Sequence, residues 1–178
     1  MTAPSRALIA ACDRLGVDTE ALLRSVGVER RTIEDPDARL PGPIAGALWA
    51  KAYELAGDPV LSLHAAEVCP LGAYKVIDYI AASARTVGEA FRDVARYFKL
   101  VNTATSWPID DAGDPVTFDL AIEGGPGGVT RPYAEYALAV FFLHVRLAAR
   151  VEFPLRRVTF THPRPPDVRE HERVFGCP

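Results

Sequence analysis

Cys177 and His162 are the residue types that make a thiolate nucleophile and its general base, the opening pair of a thiol hydrolase. Without a third side chain to orient the imidazole, a lone Cys and His are a weak signal for that chemistry. Both residues also fit plainer roles. Cys177 can serve as a small apolar residue of a terminal turn, and His162 as a strand-end side chain bonded to backbone. The four histidines, His64, His144, His162 and His171, include no i, i+4 pair and no spacing linked to a CxxC, so they do not spell a zinc site. His144 falls in an apolar run and reads as a core histidine with satisfied nitrogens. The loop Gly124-Gly-Pro-Gly-Gly128 lacks the Gly-Lys-Ser/Thr that completes a phosphate cradle, and no G-x-G-x-x-G opens the helix after it. No catalytic residue, metal or cofactor is assigned, and the chain reads as a non-enzyme, with a small Cys/His hydrolase kept as an alternative.

Binding is the chemistry the residues favour. A small-molecule pocket is mostly apolar and aromatic, with a few polar groups that fix orientation. Such side chains gather in three stretches: Tyr74 and Tyr79; Tyr97, Phe98, Asn102 and Trp107; and Arg131, Tyr133 and Tyr136. Any one of these aromatics could equally be plain core. Tyrosines stand out because a buried hydroxyl requires a partner, which a ligand can provide. Arg131 is read either as the partner of an effector carboxylate or as paired with a neighbour such as Glu135. So few polar groups lean away from a sugar and towards an apolar or aromatic-bearing acid.

These stretches must be held together by the rest of the chain. With 178 residues, 49% of them hydrophobic, one core is expected and residues 1–178 read as a single domain. Three cysteines, Cys12, Cys69 and Cys177, form no even framework and suit a reducing, cytoplasmic setting. The first residues lack a basic segment followed by a long apolar core. The longest apolar run, Tyr136 to Leu143, is far short of the ~20 residues that span a bilayer. Twenty Lys and Arg against 23 Asp and Glu give a net charge of −3. With no basic block and no helix-turn-helix pattern, these residues alone are not expected to bind DNA.

Glycines at 16 and 27 should end helices begun at Ser5 and Thr19, with a polar connection from Glu29 to Pro41. Pro43 to Leu55 carries Ile44, Leu48, Ala52 and Leu55 on one stripe. Asp58 can cap the next helix with Pro59 in its first turn, and Gly72 to Ala84 predicts another. Thr86 and Glu89 form a capping box for a helix from Val87 to about Asn102, with Phe91, Val94, Phe98 and Val101 inward. Runs at Thr105–Asp110 and Val116–Glu123 flank a turn-rich Asp111-Ala-Gly-Asp-Pro and predict a hairpin, with Phe118, Leu120 and Ile122 on one face. Gly124 to Gly128 is a flexible loop, and Pro132 to Arg150 predicts a largely buried helix. A third strand, Arg157 to His162, alternates apolar and polar residues until Pro163, and a short helix closes the chain. The fold class is α+β: a helical N-terminal half, a small antiparallel sheet packed against helices, and a buried helix between the second and third strands.

Several motifs, in this order, resemble a known family. They are Gly57-Asp-Pro-x-Leu-x-Leu63, Pro70-Leu-Gly72, Thr86-Val-Gly-Glu-Ala-Phe-Arg92 with Ala95-Arg-Tyr-Phe98, the Phe160-x-His162-x-x-Pro165 strand end, and the closing Phe175-Gly-x-Pro178. Over most of residues 15–178 the chain is similar to the N-terminal effector-binding domain, of the arabinose-binding type, in AraC-type transcription regulators. The resemblance implies that a small-molecule effector shifts the pairing or orientation of attached DNA-binding units, that the protein acts as a homodimer, and that helix-turn-helix units follow residue 178. A sensor that has lost its ligand and only dimerises or contacts partner proteins is the alternative within that family.

Overall fold

Two short helices, α1 (Ala3–Arg14) and α2 (Thr19–Ser25), open the chain where expected. Gly16 and Gly27 follow them with φ of 73° and 68°, a left-handed conformation that glycine adopts without a Cβ clash. Asp18 caps α2 by accepting the Ala21 N–H at 2.8 Å. This structure, a computed structural model, describes residues 2–100, 102–103, 105–122, 131–150 and 152–178. The polar connection at 29–41 contains one added helical turn, α3 (Arg30–Glu34). Ile33, buried to 2%, pulls it onto the core, while Arg30 pairs with Asp13 and Glu20 on the two helices before it.

Next comes α4 (Gly42–Ala56), whose inward stripe is Leu48, Trp49 and Ala52; Leu55, expected inside, stands 45% exposed. In the turn before α5 (Leu61–Val68), Asp58 accepts the Val60 N–H at 3.0 Å, so Asp58 and Pro59 precede the helix rather than opening it. The following helix is shorter than expected. α6 spans Val76–Ser83, because residues 72–75 form a turn held by Asp78, whose Oδ2 accepts the N–H groups of Gly72 at 2.7 Å and Tyr74 at 2.9 Å. α7 (Val87–Tyr97) starts on its capping box: Thr86 Oγ1 accepts the Glu89 N–H at 3.1 Å, and Glu89 returns a carboxylate oxygen to the Arg85 N–H at 2.9 Å. It tightens into a 3-10 turn at Phe98–Leu100 and so ends short of Asn102, while Val101 lies outside the described residues.

The hairpin forms in two pieces. β1 (Thr105–Ser106) pairs antiparallel with β4 (Ala121–Ile122), and β2 (Ile109–Asp110) with β3 (Thr117–Phe118). Between the ladders sit Trp107 and Pro108; the proline has no N–H to give, and its carbonyl takes the Asp119 N–H at 2.9 Å. Phe118 and Leu120 turn inward, with the Phe118 ring 4.8 Å from Phe91 and 4.7 Å from Phe141. The side chain of Ile122 and the Gly124–Gly128 loop lie outside the described residues.

The long helix α8 (Arg131–Ala149) is buried through Tyr136, Ala139, Val140, Phe142 and Val145 and packs along α5 at the centre of the molecule. The expected third strand is corrected by the structure. Side chains of 157–162 still alternate, with Val158, Phe160 and His162 half-buried, but this segment joins no ladder among the described residues. Its Val158 N–H is committed to the Pro178 carbonyl at 3.3 Å instead of to a sheet edge. α8 therefore lies between the hairpin and an irregular, inward-leaning segment. α9 (Arg169–Phe175) closes the chain with His171, Val174 and Phe175 buried. The architecture is α+β, helical first and with a small antiparallel component packed on helices. No helix among the described residues is long and apolar enough to cross a membrane.

Candidate functional site

Helices α6, α7 and α8 meet the hairpin around a small cavity. Ile77, Asp78 and Ala81 enter it from α6, Val94 and Phe98 from α7 and its terminal turn, and Trp107 from the break between the ladders. α8 supplies the opposite wall with Tyr133, Ala137, Val140, Phe141, His144 and Val145, each on the same face by helical spacing. The free volume is about 20 Å3, room for about one water.

One wall is a closed polar network. His144 Nδ1 lies 2.8 Å from Asp78 Oδ1, and its Nε2 lies 3.1 Å from the Cys69 carbonyl. Both neighbours are acceptors, so both ring nitrogens donate and the imidazole is the charged form. Burial pulls its pKa down, but the hydrogen bonds to Asp78 and Cys69 win and raise it to about 10. Beside this pair, the Tyr74 hydroxyl donates to Tyr136 at 3.3 Å, which donates to the Cys69 sulfur at 3.4 Å. Deep burial pushes both phenols far above their ordinary range, so they remain neutral donors.

The other wall is aromatic. Trp107 stacks on Phe118 at 5.0 Å and on Phe141 at 5.1 Å, and Phe98 meets it edge-on at 5.4 Å. Trp107 is 3% exposed, and its Nε1 has no hydrogen-bond partner among the described residues.

Of the residues singled out from sequence, Tyr74, Phe98, Trp107 and Tyr133 come together on this cavity. Asn102 supports it from behind by donating to the Tyr133 hydroxyl at 2.9 Å, and burial pushes that hydroxyl up to about 12. Tyr136 is wholly buried next to Tyr74, with its ring 5.3 Å from Trp49. Tyr79, 73% exposed, and Tyr97, beneath the Arg96 guanidinium at 5.3 Å, are not brought to the cavity. Arg131 is also elsewhere. Its Nε binds Glu135 at 2.8 Å and its terminal nitrogen binds the Pro59 carbonyl at 3.2 Å, which realises the neighbour pairing rather than an open cation. Sequence reasoning missed Asp78 and gave His144 only a core role. The available signal was one acid in Val76-Ile-Asp-Tyr-Ile80 and one base in an apolar run, two charges of opposite sign on two apolar helices.

Glu135 is the second polar centre, fully buried on the far side of α8. It accepts from Ser62 Oγ at 2.7 Å and Arg131 at 2.8 Å, and meets His171 Nε2 at 2.8 Å. His162 Nε2 approaches the same oxygen at 3.5 Å, while its Nδ1 faces the Pro163 carbonyl at 3.0 Å. The His162 ring therefore faces acceptors at both nitrogens. Burial pushes the Cys177 thiol up, away from the thiolate a nucleophile requires. These placements favour structural roles for both residues over the hydrolase pair.

No curated protein matches the chain with significance. The family model for the arabinose-binding domain of AraC transcription regulator, N-term, matches residues 16–178, which include every wall of the cavity and the whole C-terminal segment. The chain belongs to that family of regulatory, ligand-binding domains.

Proposed function

We propose that residues 1–178 act as one cytoplasmic sensing unit, in which a small-molecule effector enters the α6–α7–α8 cavity and changes how two copies pair. That change would pass to the DNA-binding units of an AraC-type regulator. The observation that carries this reading is the buried Trp107 N–H, without a hydrogen-bond partner among the described residues, beside a His144–Asp78 pair that is satisfied. An orphaned donor costs about 1–3 kcal/mol, a cost that an incoming acceptor removes. A ligand can shift the pairing only by its differential affinity for two conformations. A cavity of about 20 Å3 is too small for an effector, so this reading requires a second, more open conformation. α6 joins the two ends of this scheme, since Ile77 and Asp78 face the cavity while Val76 and Tyr79 face solvent.

The small cavity also favours a second reading, a module that pairs without any ligand. Thermal denaturation against a metabolite panel separates the two. A specific effector at about 100 times its Kd adds about 2.7 kcal/mol, or about 5–10 °C in Tm for a chain of this size. The same ligand should change the sedimentation behaviour of the protein. A panel that moves neither quantity would leave only the ligand-free module.

A further inference from the structure

We propose that the cavity is built for a neutral, planar aromatic molecule carrying a carbonyl-type acceptor, with its ring among Phe98, Phe141 and Tyr74 and its acceptor on the Trp107 N–H. This rests on the sensing role proposed above and names its ligand class. The indole N–H is donor-only, so the group it lacks is an acceptor. Trp107 cannot readily swing that donor to water, because stacking on Phe118 and Phe141 and the edge contact with Phe98 fix the ring.

Every charge on the cavity wall is already spent. Asp78 gives one oxygen to His144 and the other to the Gly72 and Tyr74 amides. His144 has used both nitrogens, on Asp78 and the Cys69 carbonyl. Arg131, the cation that could have met an effector carboxylate, is held by Glu135 and Pro59 away from the cavity. An ionised ligand would thus lose its hydration against a pair that is neutral as a whole. A sugar fares no better, since each of its hydroxyls wants a partner and the described wall holds one open donor.

Ring binding also needs more space than the closed cavity provides, because a benzene-sized guest occupies a cavity of about 150 Å3. The part of the wall best able to yield is the hairpin, moving as a unit with Trp107 stacked on Phe118. Its ladder is interrupted at Trp107 and Pro108, where a single bond from the Asp119 N–H to the Pro108 carbonyl joins the two arms. Entry of the ligand would then be read out as movement of the hairpin against α7 and α8.

Calorimetric titration with four probes tests the assignment: acetophenone, ethylbenzene, benzoate and L-arabinose. Acetophenone should bind at least tenfold more tightly than benzoate or arabinose. Trp107→Phe, which deletes the N–H and keeps a smaller ring, changes the space for both probes alike and should lower the preference for acetophenone over ethylbenzene about five- to tenfold. An unchanged far-UV circular-dichroism spectrum and a cooperative urea transition show that the variant folds. Tighter binding of benzoate or arabinose, silence towards acetophenone, or equal losses for both ring probes in Trp107→Phe would each overturn the ligand class. All three leave effector sensing intact if the metabolite panel yields a ligand of other chemistry, whereas a silent panel removes the sensing role as well.

Discussion

Asp78→Ala is expected to lower the stability of the protein by about 3–5 kcal/mol, read as a marked drop in the urea midpoint. Asp78 serves three donors at once, the His144 imidazolium and the amides of Gly72 and Tyr74. Alanine leaves all three facing a space that is 5% exposed. Asp78→Asn keeps an acceptor and removes the charge, so it should cost less. A pH titration isolates the ionic part. His144 has its pKa raised to about 10 in the fold, against about 6.5 in an unfolded chain. Its stabilisation is therefore complete below pH ~6.5 and declines as pH rises towards 10. The urea midpoint of the native protein should fall across that window, and the slope should flatten in Asp78→Asn. Parallel slopes in the two proteins would mean that His144 is neutral.

That ion pair marks the limit of what the chain discloses without its fold. Elements with a local cause were legible: the Thr86–Glu89 box starts a helix where expected, and Phe91, Val94 and Phe98 point inward because a 3.6-residue period leaves them no other shared face. Tyr74, Phe98, Trp107 and Tyr133 stand in sequence only as members of three separate aromatic stretches, and the fold brings these four to one cavity while leaving Tyr79 and Tyr97 outside it. Long-range choices were not legible. Asp78 and His144 lie 66 positions apart, and nothing local tells an acid on an apolar helix which base it will meet. The same holds for Arg131, whose two options differed only in whether the neighbouring Glu135 turned inward. The third strand failed for a related reason. Alternation at 157–162 correctly sorted inward from outward side chains, yet a ladder also requires a free edge, and alternation carries no information about edges.

Glu135→Ala should release the C-terminal segment. The carboxylate is the point where α8, α5 and α9 are joined: Ser62 donates to it from α5, Arg131 from its own helix, and His171 from α9. Behind Ser62, the Tyr53 hydroxyl donates to Ser62 Oγ at 2.8 Å and accepts the Ser62 N–H at 3.0 Å, extending the network to α4. Burial alone would push the Glu135 carboxyl up, but hydrogen bonds from His171, Arg131 and Ser62 outweigh it and hold the group below its ordinary range. Its contribution is therefore present above about pH 4.5 and is lost as pH falls through the lowered value. The alanine variant should lose about 3 kcal/mol, the low end for an orphaned ion pair, because Arg131 is 33% exposed and can partly rehydrate. The more telling consequence is local. Exposed Arg156, Arg157 and Arg164 lie on the segment that Glu135 anchors through His171, so trypsin should cut there much faster in Glu135→Ala. Asp78→Asn, whose damage lies on the cavity side of α8, should not share that sensitivity. Equal protection of the tail in native protein and Glu135→Ala would show instead that Val174 and Phe175, packed into the core, hold the segment without the carboxylate.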